Sequence, residues 1–241
     1  MIEAAPREGS PIVKLVRTAS GVWPFGLEPT TLPRGVVLVD VDEVSKSERL
    51  REALGASERL RLSSFEELPG PVAEKRRREF LAGRIAAKWA LQRVTGLPFK
   101  VIEIENVARG PQRGRPIVVI GGTDPGLCVS ISHARTLAAA VVARGPIGFD
   151  LDVVGPKDAG FERLVLGPRE RPIHSIDRDL HLTAVFVMKE AIVKCRTTGL
   201  SVAFHDVSPD PELELVSGTT RHRGELFVWA LARPRSEGGV R

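Results

Sequence analysis

Two hydrophobic rhythms alternate along the chain. The helical one is clearest in "PVAEKRRREFLAGRIAAKWALQRVTG", residues 71–96, where Leu81, Ile85 and Trp89 repeat on one face and predict a buried stripe. Proline suits a first helical turn, and Gly96 followed by Pro98 is a stop signal. A second helix is predicted over about 177–198, with Asp177 or Asp179 as its cap and Gly199 just past its end. Its positions Val185, Met188 and Ile192 are spaced to face a core. "KSERLREAL" (46–54) reads as a shorter, exposed helix.

The second rhythm is that of strands. "FKVIEIENV" (99–107) alternates polar and apolar residues, as a half-buried strand does. "GVVLVDVDEV" (35–44), "LCVSIS" (127–132), "LAAAVVA" (137–143) and "IGFDLDVV" (147–154) are β-branched or apolar runs of strand length, and "ELELVSG" and "ELFVWALA" add two more near the C-terminus. "ARGPQRGRPIVVI" (108–120) is a basic, Gly- and Pro-broken loop running into a strand. Residues 1–35 are rich in Pro, Gly, Ser and Thr and are expected to form a loosely structured lead-in. Each half of the chain thus carries one long helix and several short strands. The boundary falls near "ARGP" (143–146), which predicts an N-terminal half over 1–145 and a C-terminal half over 146–241. No exact repeat and no heptads occur.

Composition narrows the class. The 241 residues are 42% hydrophobic, enough for a sizeable core. The formal net charge of +5 favours acidic or phosphorylated partners. Cys128 and Cys195 lie far apart and near no partner at metal-ligand spacing, so a reducing, cytoplasmic setting is expected, without disulfides or zinc. The N-terminal stretch has no signal-peptide pattern, and no apolar run reaches the length of a membrane span.

Several residues are candidates for chemistry. Asp150 and Asp152 point to the same side of a strand, where two carboxylates repel unless a cation joins them, and Mg²⁺ takes such oxygens together with phosphates. Ser132 and His133 end an apolar strand and have hydrogen bonds to offer a phosphate. Lys75, Arg76, Arg77, Arg78, Arg84 and Lys88 on the long helix, with Arg113 and Arg115 in the loop after it, make a basic set. Such a run is ordinarily a solvated face, but arginine forks also suit phosphate. In "FVMKEAIVKC" (186–195), Glu190 and Lys194 are four apart and share a helix face.

The order of these motifs is more specific than any one of them. A basic helix with "FLAGR", a "GRP" turn, "SISH", "GFDLD" and then "FVMKEAIVK" resembles the 4′-phosphopantetheinyl transferases, specifically the larger type that serves siderophore, polyketide and nonribosomal peptide synthetases. The resemblance runs from about Pro71 to Leu200. It rests chiefly on Gly148-Phe149-Asp150-Leu151-Asp152 and on Phe186 through Lys194. Asp152 stands where that family usually has Glu, Ala134 where it has Ser or Thr, Cys195 where it has Ala, and Phe149 where it has Ile or Val.

The resemblance implies an α+β fold of two similar halves forming a pseudo-dimer, with coenzyme A in the cleft between them. It implies an enzyme that moves the phosphopantetheine arm of coenzyme A to a serine of an acyl or peptidyl carrier protein and releases adenosine 3′,5′-bisphosphate. Asp150, Asp152 and Glu190 would hold Mg²⁺ or Mn²⁺; Glu190 would be the base and Lys194 the charge clamp. Ser132 and His133 would hold the 3′-phosphate, and Arg76, Arg84, Arg113, Arg115 and Lys189 the remaining phosphates, with Arg77 allowed by the same helix geometry as Arg76. The expected partners are coenzyme A and an apo carrier protein, with no nucleic acid and no membrane, and the protein is expected to be a monomer. Two other readings stay open at this level: a metal-dependent nucleotide-sugar transferase using Asp150 and Asp152, and a basic nucleic-acid-binding module.

Overall fold

The computed structural model describes residues 14–18, 21–25, 32–167, 170–171, 176–197 and 202–235. The elements are β1 (Lys14–Thr18), β2 (Gly21–Phe25), β3 (Val37–Asp40), α1 (Val41–Ser45), α2 (Glu48–Glu52), α3 (Ala56–Ser63), α4 (Gly70–Thr95), β4 (Ile102–Asn106), β5 (Pro116–Ile120), β6 (Cys128–Ala134), β7 (Leu137–Ala143), β8 (Gly148–Val153), α5 (Ala159–Val165), α6 (Arg178–Arg196), β9 (Leu213–His222) and β10 (Glu225–Pro234). The fold is α+β. It divides into two compact units, one from Arg34 to Arg144 and one from Gly145 onward that also takes the β1–β2 hairpin. No helix among the described residues is long and apolar enough to cross a membrane.

In the first unit α4 covers an antiparallel sheet of order β3-β7-β6, and β4 pairs with β5 in a separate ribbon. The helix obeys its sequence signals, with proline in its first turn and Gly96 at φ 72° as a left-handed cap. Its central part is buried almost all round. Leu81, Ile85, Ala86, Ala87 and Leu91 pack against Val37, Val39, Ile102, Ile104, Val118, Ala138 and Ala140, while Trp89 is only partly covered. Arg84 and Lys88 are buried while Lys75 and Arg76 are exposed, so the basic residues of α4 do not form one solvated face. Lys88 is fully buried, its ammonium 2.8 Å from Glu58 Oε2 and donating to the carbonyls of Phe99 and Ile102. Arg77 and Arg78 pair with Glu66 and Asp42, on other sides of the helix.

The second unit repeats the scheme with α6 on an antiparallel sheet of order β8-β10-β9. Val185, Met188 and Ile192 are buried, as their spacing predicts. Asp177 caps the helix by accepting from the Leu180 amide; Asp179 accepts instead from the amide of Lys157. The C-cap is Thr197 at φ 56°, and Gly199 lies outside the described residues. Strand β8 meets α6 at Gly148, where a Cβ would sit 1.9 Å from the carbonyl oxygen of Ala191 and 2.5 Å from the amide nitrogen of Cys195. Only glycine lets helix and strand backbones come that close.

Two strand expectations and the lead-in are revised. "GVVLVDVDEV" is β3 followed at once by α1, because Asp40 accepts from the Glu43 amide and starts a helix. "FKVIEIENV" is a 3₁₀ turn over Phe99–Val101 before β4. The expected lead-in contains the β1–β2 hairpin, in which "KLVRT" pairs with "GVWPF". Gly148→Ala should lower stability by about 1–3 kcal/mol or more, the usual range for overpacking. An unchanged urea midpoint would contradict the close approach of α6 to β8.

Candidate active site

The first unit carries an open cleft of about 780 Å³. Arg76 and Arg84 of α4, Arg113 of the following loop and His133 of β6 all line it, with Phe80, Glu79 and Asn106. Helix periodicity puts Arg76 and Arg84 on the cleft side and leaves Arg77 facing Glu66. Arg84 is the best-held cation. It is buried, stacks over the Phe80 ring at 4.6 Å, donates to Asn106 Oδ1 and lies 4.0 Å from Glu58. Burial pulls its pKa down to about 10, with Glu58 opposing, so it keeps its charge near neutrality. Glu58 also serves Lys88, so two cations share one buried carboxylate and leave a net positive charge at the cleft wall.

His133 is exposed, with Nδ1 3.8 Å from Glu79 Oε1. Ser132 does not join it. Adjacent residues of a strand face opposite sides; Ser132 is buried with Ser130, while Ile131 and His133 face the cleft. Arg115 is half-buried and is not among the cleft-lining residues.

The second unit gathers the acids. On β8 Asp150 is buried and Oδ1 accepts from Lys194 Nζ at 2.6 Å. The same ammonium donates to the Phe149 carbonyl, 3.3 Å away. Burial pushes the Glu190 carboxyl upward; Lys194 lowers it and Asp150 raises it again, so these three side chains act on one another. Asp152 has a different partner: Lys157 Nζ lies 2.9 Å from its Oδ2. Each aspartate therefore has its own lysine instead of sharing one cation with the other. Among the described residues no three His, Cys, Asp or Glu side chains converge as a ready metal cage. A hard divalent ion usually takes one or two carboxylates and completes its shell with phosphate and water. Asp150 and Glu190, whose charges act on each other, fit that requirement.

Lys189, expected at the phosphates, is instead fully buried. Its ammonium donates to Glu170 Oε2 at 2.7 Å and to the Val165 carbonyl at 2.8 Å, and burial lowers its pKa. It joins α6 to the segment after α5, where Glu170 also accepts from the Gly167 amide. Sequence reasoning missed Glu58, Glu170, Asn106 and Lys157. Of these, only Glu58 carried a signal, as an acid at the third position of a short helix.

Comparison with known proteins shows the family. The profile of the 4′-phosphopantetheinyl transferase N-terminal domain matches residues 71–143. A holo-(acyl-carrier-protein) synthase of Bacillus cytotoxicus is 32% identical over 111 residues, 43% of this chain and 89% of the relative. One from Geobacillus sp. is 43% identical over 77 residues, 30% of this chain and 61% of the relative, so the match spans less than two thirds of that protein. The enterobactin synthase component D of Salmonella austin is 28% identical over 175 residues, 70% of this chain and 67% of the relative. The chain belongs to the 4′-phosphopantetheinyl transferase superfamily.

Two expectations follow from the buried groups. Lys189→Met strands Glu170 and should cost about 3–5 kcal/mol, seen as a lower urea midpoint, while adding Glu170→Gln should recover most of the loss. His181 of α6 is buried, and burial lowers its pKa against the pull of Glu170 and Glu162. The unfolded chain therefore takes up this proton near pH ~6.5 while the folded chain still resists it, so the histidine erodes stability as pH falls through that region. Urea midpoints between pH ~7 and ~5 should fall more steeply for the native protein than for His181→Phe; equal slopes would contradict the assignment.

Proposed function

We propose that the protein transfers the 4′-phosphopantetheine arm of coenzyme A to a serine of an acyl or peptidyl carrier protein and releases adenosine 3′,5′-bisphosphate. The observation that carries this reading is the grouping of Glu190, Lys194 and Asp150 on the α6–β8 face, in a chain of this superfamily. The cation-lined cleft of the first unit supports it too. Arg76, Arg84, Arg113 and His133 offer forks and a ring nitrogen to the phosphates of coenzyme A.

In the reaction Glu190 accepts the proton of the carrier serine at a carboxylate oxygen. The serine oxygen then attacks the phosphorus bearing the pantetheine arm, and the bond from that phosphorus to the departing bisphosphate breaks. The raised carboxyl of Glu190 makes it a stronger base than an exposed glutamate. Lys194 stays within reach of the developing negative charge and holds Asp150 in place. Asp150 and Glu190 would hold Mg²⁺ or Mn²⁺, which when bound draws charge from the diphosphate. The positive net charge favours encounter with an acidic carrier protein.

Intact-mass spectrometry of an apo carrier protein, incubated with this protein, coenzyme A and Mg²⁺, should record one added phosphopantetheine, absent in EDTA. Glu190→Gln should fold and lower turnover by about 10²–10⁴-fold. Near-normal turnover in that variant would remove Glu190 from the role of base.

A further inference from the structure

Strand β4 ends in a residue that breaks its pattern. Alternation places Ile102, Ile104 and Asn106 on one face. The two isoleucines are buried in the core of the first unit, and the third position, at the rim of the cleft, is an amide. Its Oδ1 accepts from Arg84 Nη2, and its Nδ2 donates to the Gly114 carbonyl at 2.6 Å. We propose that Asn106 is a positioning residue, which clasps the 107–115 loop to Arg84 and so presents Arg113 and Arg84 together to the phosphates of one ligand. The inference rests on the function proposed above and deepens its account of coenzyme A binding.

The two partners select an amide. A guanidinium only donates and a carbonyl only accepts, so the residue between them must accept on one side and donate on the other. Aspartate would meet Arg84 but set an acceptor against the Gly114 carbonyl, and leucine would meet neither.

The Arg84 end of the clasp is fixed, since that guanidinium is buried against Phe80 and near Glu58. The loop end is not. Residues 108–111, 113 and 114 are exposed. The backbone bonds of the loop close it on itself: Val107 pairs with Gly114 and Arg115, the Arg113 amide donates to the Gly110 carbonyl and the Arg115 amide to that of Gln112. Gly110 and Gly114 hold φ at 84° and 89°, so the bend needs glycine at both. These bonds shape the loop, and the Asn106 side chain ties that shape to the long helix. A guanidinium carried on an untethered loop would lose affinity to the entropy of ordering it; one carried on a tethered loop is already in place.

Two measurements separate this role from a general effect on the fold. Asn106 is exposed, so Asn106→Ala should keep the native urea midpoint. Calorimetric titration with adenosine 3′,5′-bisphosphate should show about fivefold to tenfold weaker binding in that variant. Arg113→Ala should weaken binding by about tenfold in the native background but by only about twofold in Asn106→Ala, where the loop is already released. With coenzyme A and a carrier protein, the Asn106→Ala loss should fall on KM rather than kcat. Fully additive losses would overturn the inference. Hydrogen exchange reads the clasp without ligand. The Gly114 and Arg115 amides should exchange about tenfold faster in Asn106→Ala, and likewise in Arg84→Met, where Lys88 still answers Glu58. Unchanged exchange in either variant would overturn the inference, and Arg84→Met decides if Asn106→Ala fails to fold. A native protein that binds no bisphosphate and transfers nothing would remove the proposed function and this inference with it. Additive losses in a native protein that binds and transfers would remove the inference alone.

Discussion

A buried ammonium must be answered by a carboxylate and by carbonyls, and each unit of this protein is arranged around one such debt. In the first unit Lys88 runs from α4 into the core, and Glu58 of α3 with the carbonyls of Phe99 and Ile102 close around it. In the second, Lys189 runs from α6 inward, and Glu170 with the Val165 carbonyl does the same. Neither lysine adds much stability as a net sum, since desolvation consumes most of the attraction. What each supplies is location. Each fixes a neighbouring segment against the long helix at one height and in one orientation.

The chemical groups inherit that placement. In the first unit Glu58, fixed by Lys88, also faces Arg84, so the strut and the cleft wall share a carboxylate. In the second unit Lys189 turns inward while its neighbour Glu190 lies beside Asp150 and Lys194. Adjacent positions on α6 thus divide the work. One anchors the helix, and the next faces the carboxylates of β8.

Much of this was legible in the chain. The bounds of α4 are written by Pro71 and Gly96 and the core face of α6 by Val185, Met188 and Ile192, while the contact of Lys194 with Asp150 was not announced. The failures share a cause. Lys88 read as one of a basic set and Lys189 as a phosphate contact because their partners Glu58 and Glu170 sit many residues away, and no local pattern announces a long-range ion pair. The pairing of Asp152 with Lys157 was equally hidden, since it depends on how the chain turns after β8. Two misses were local and avoidable. Strand alternation alone separates Ser132 from His133, and Asp40 followed by Glu43 is a helix start inside an apolar run.

The glycine at the head of β8 has a dynamic consequence. With no side chain between Gly148 and the backbone of α6 at Ala191 and Cys195, no layer of rotamers exists there to absorb a small displacement. Helix and strand must breathe as one body. Amide protons at this crossing will exchange together, through openings that cost nearly as much as unfolding the whole unit. The carboxylate of β8 and the glutamate and lysine of α6 thus keep their mutual distances.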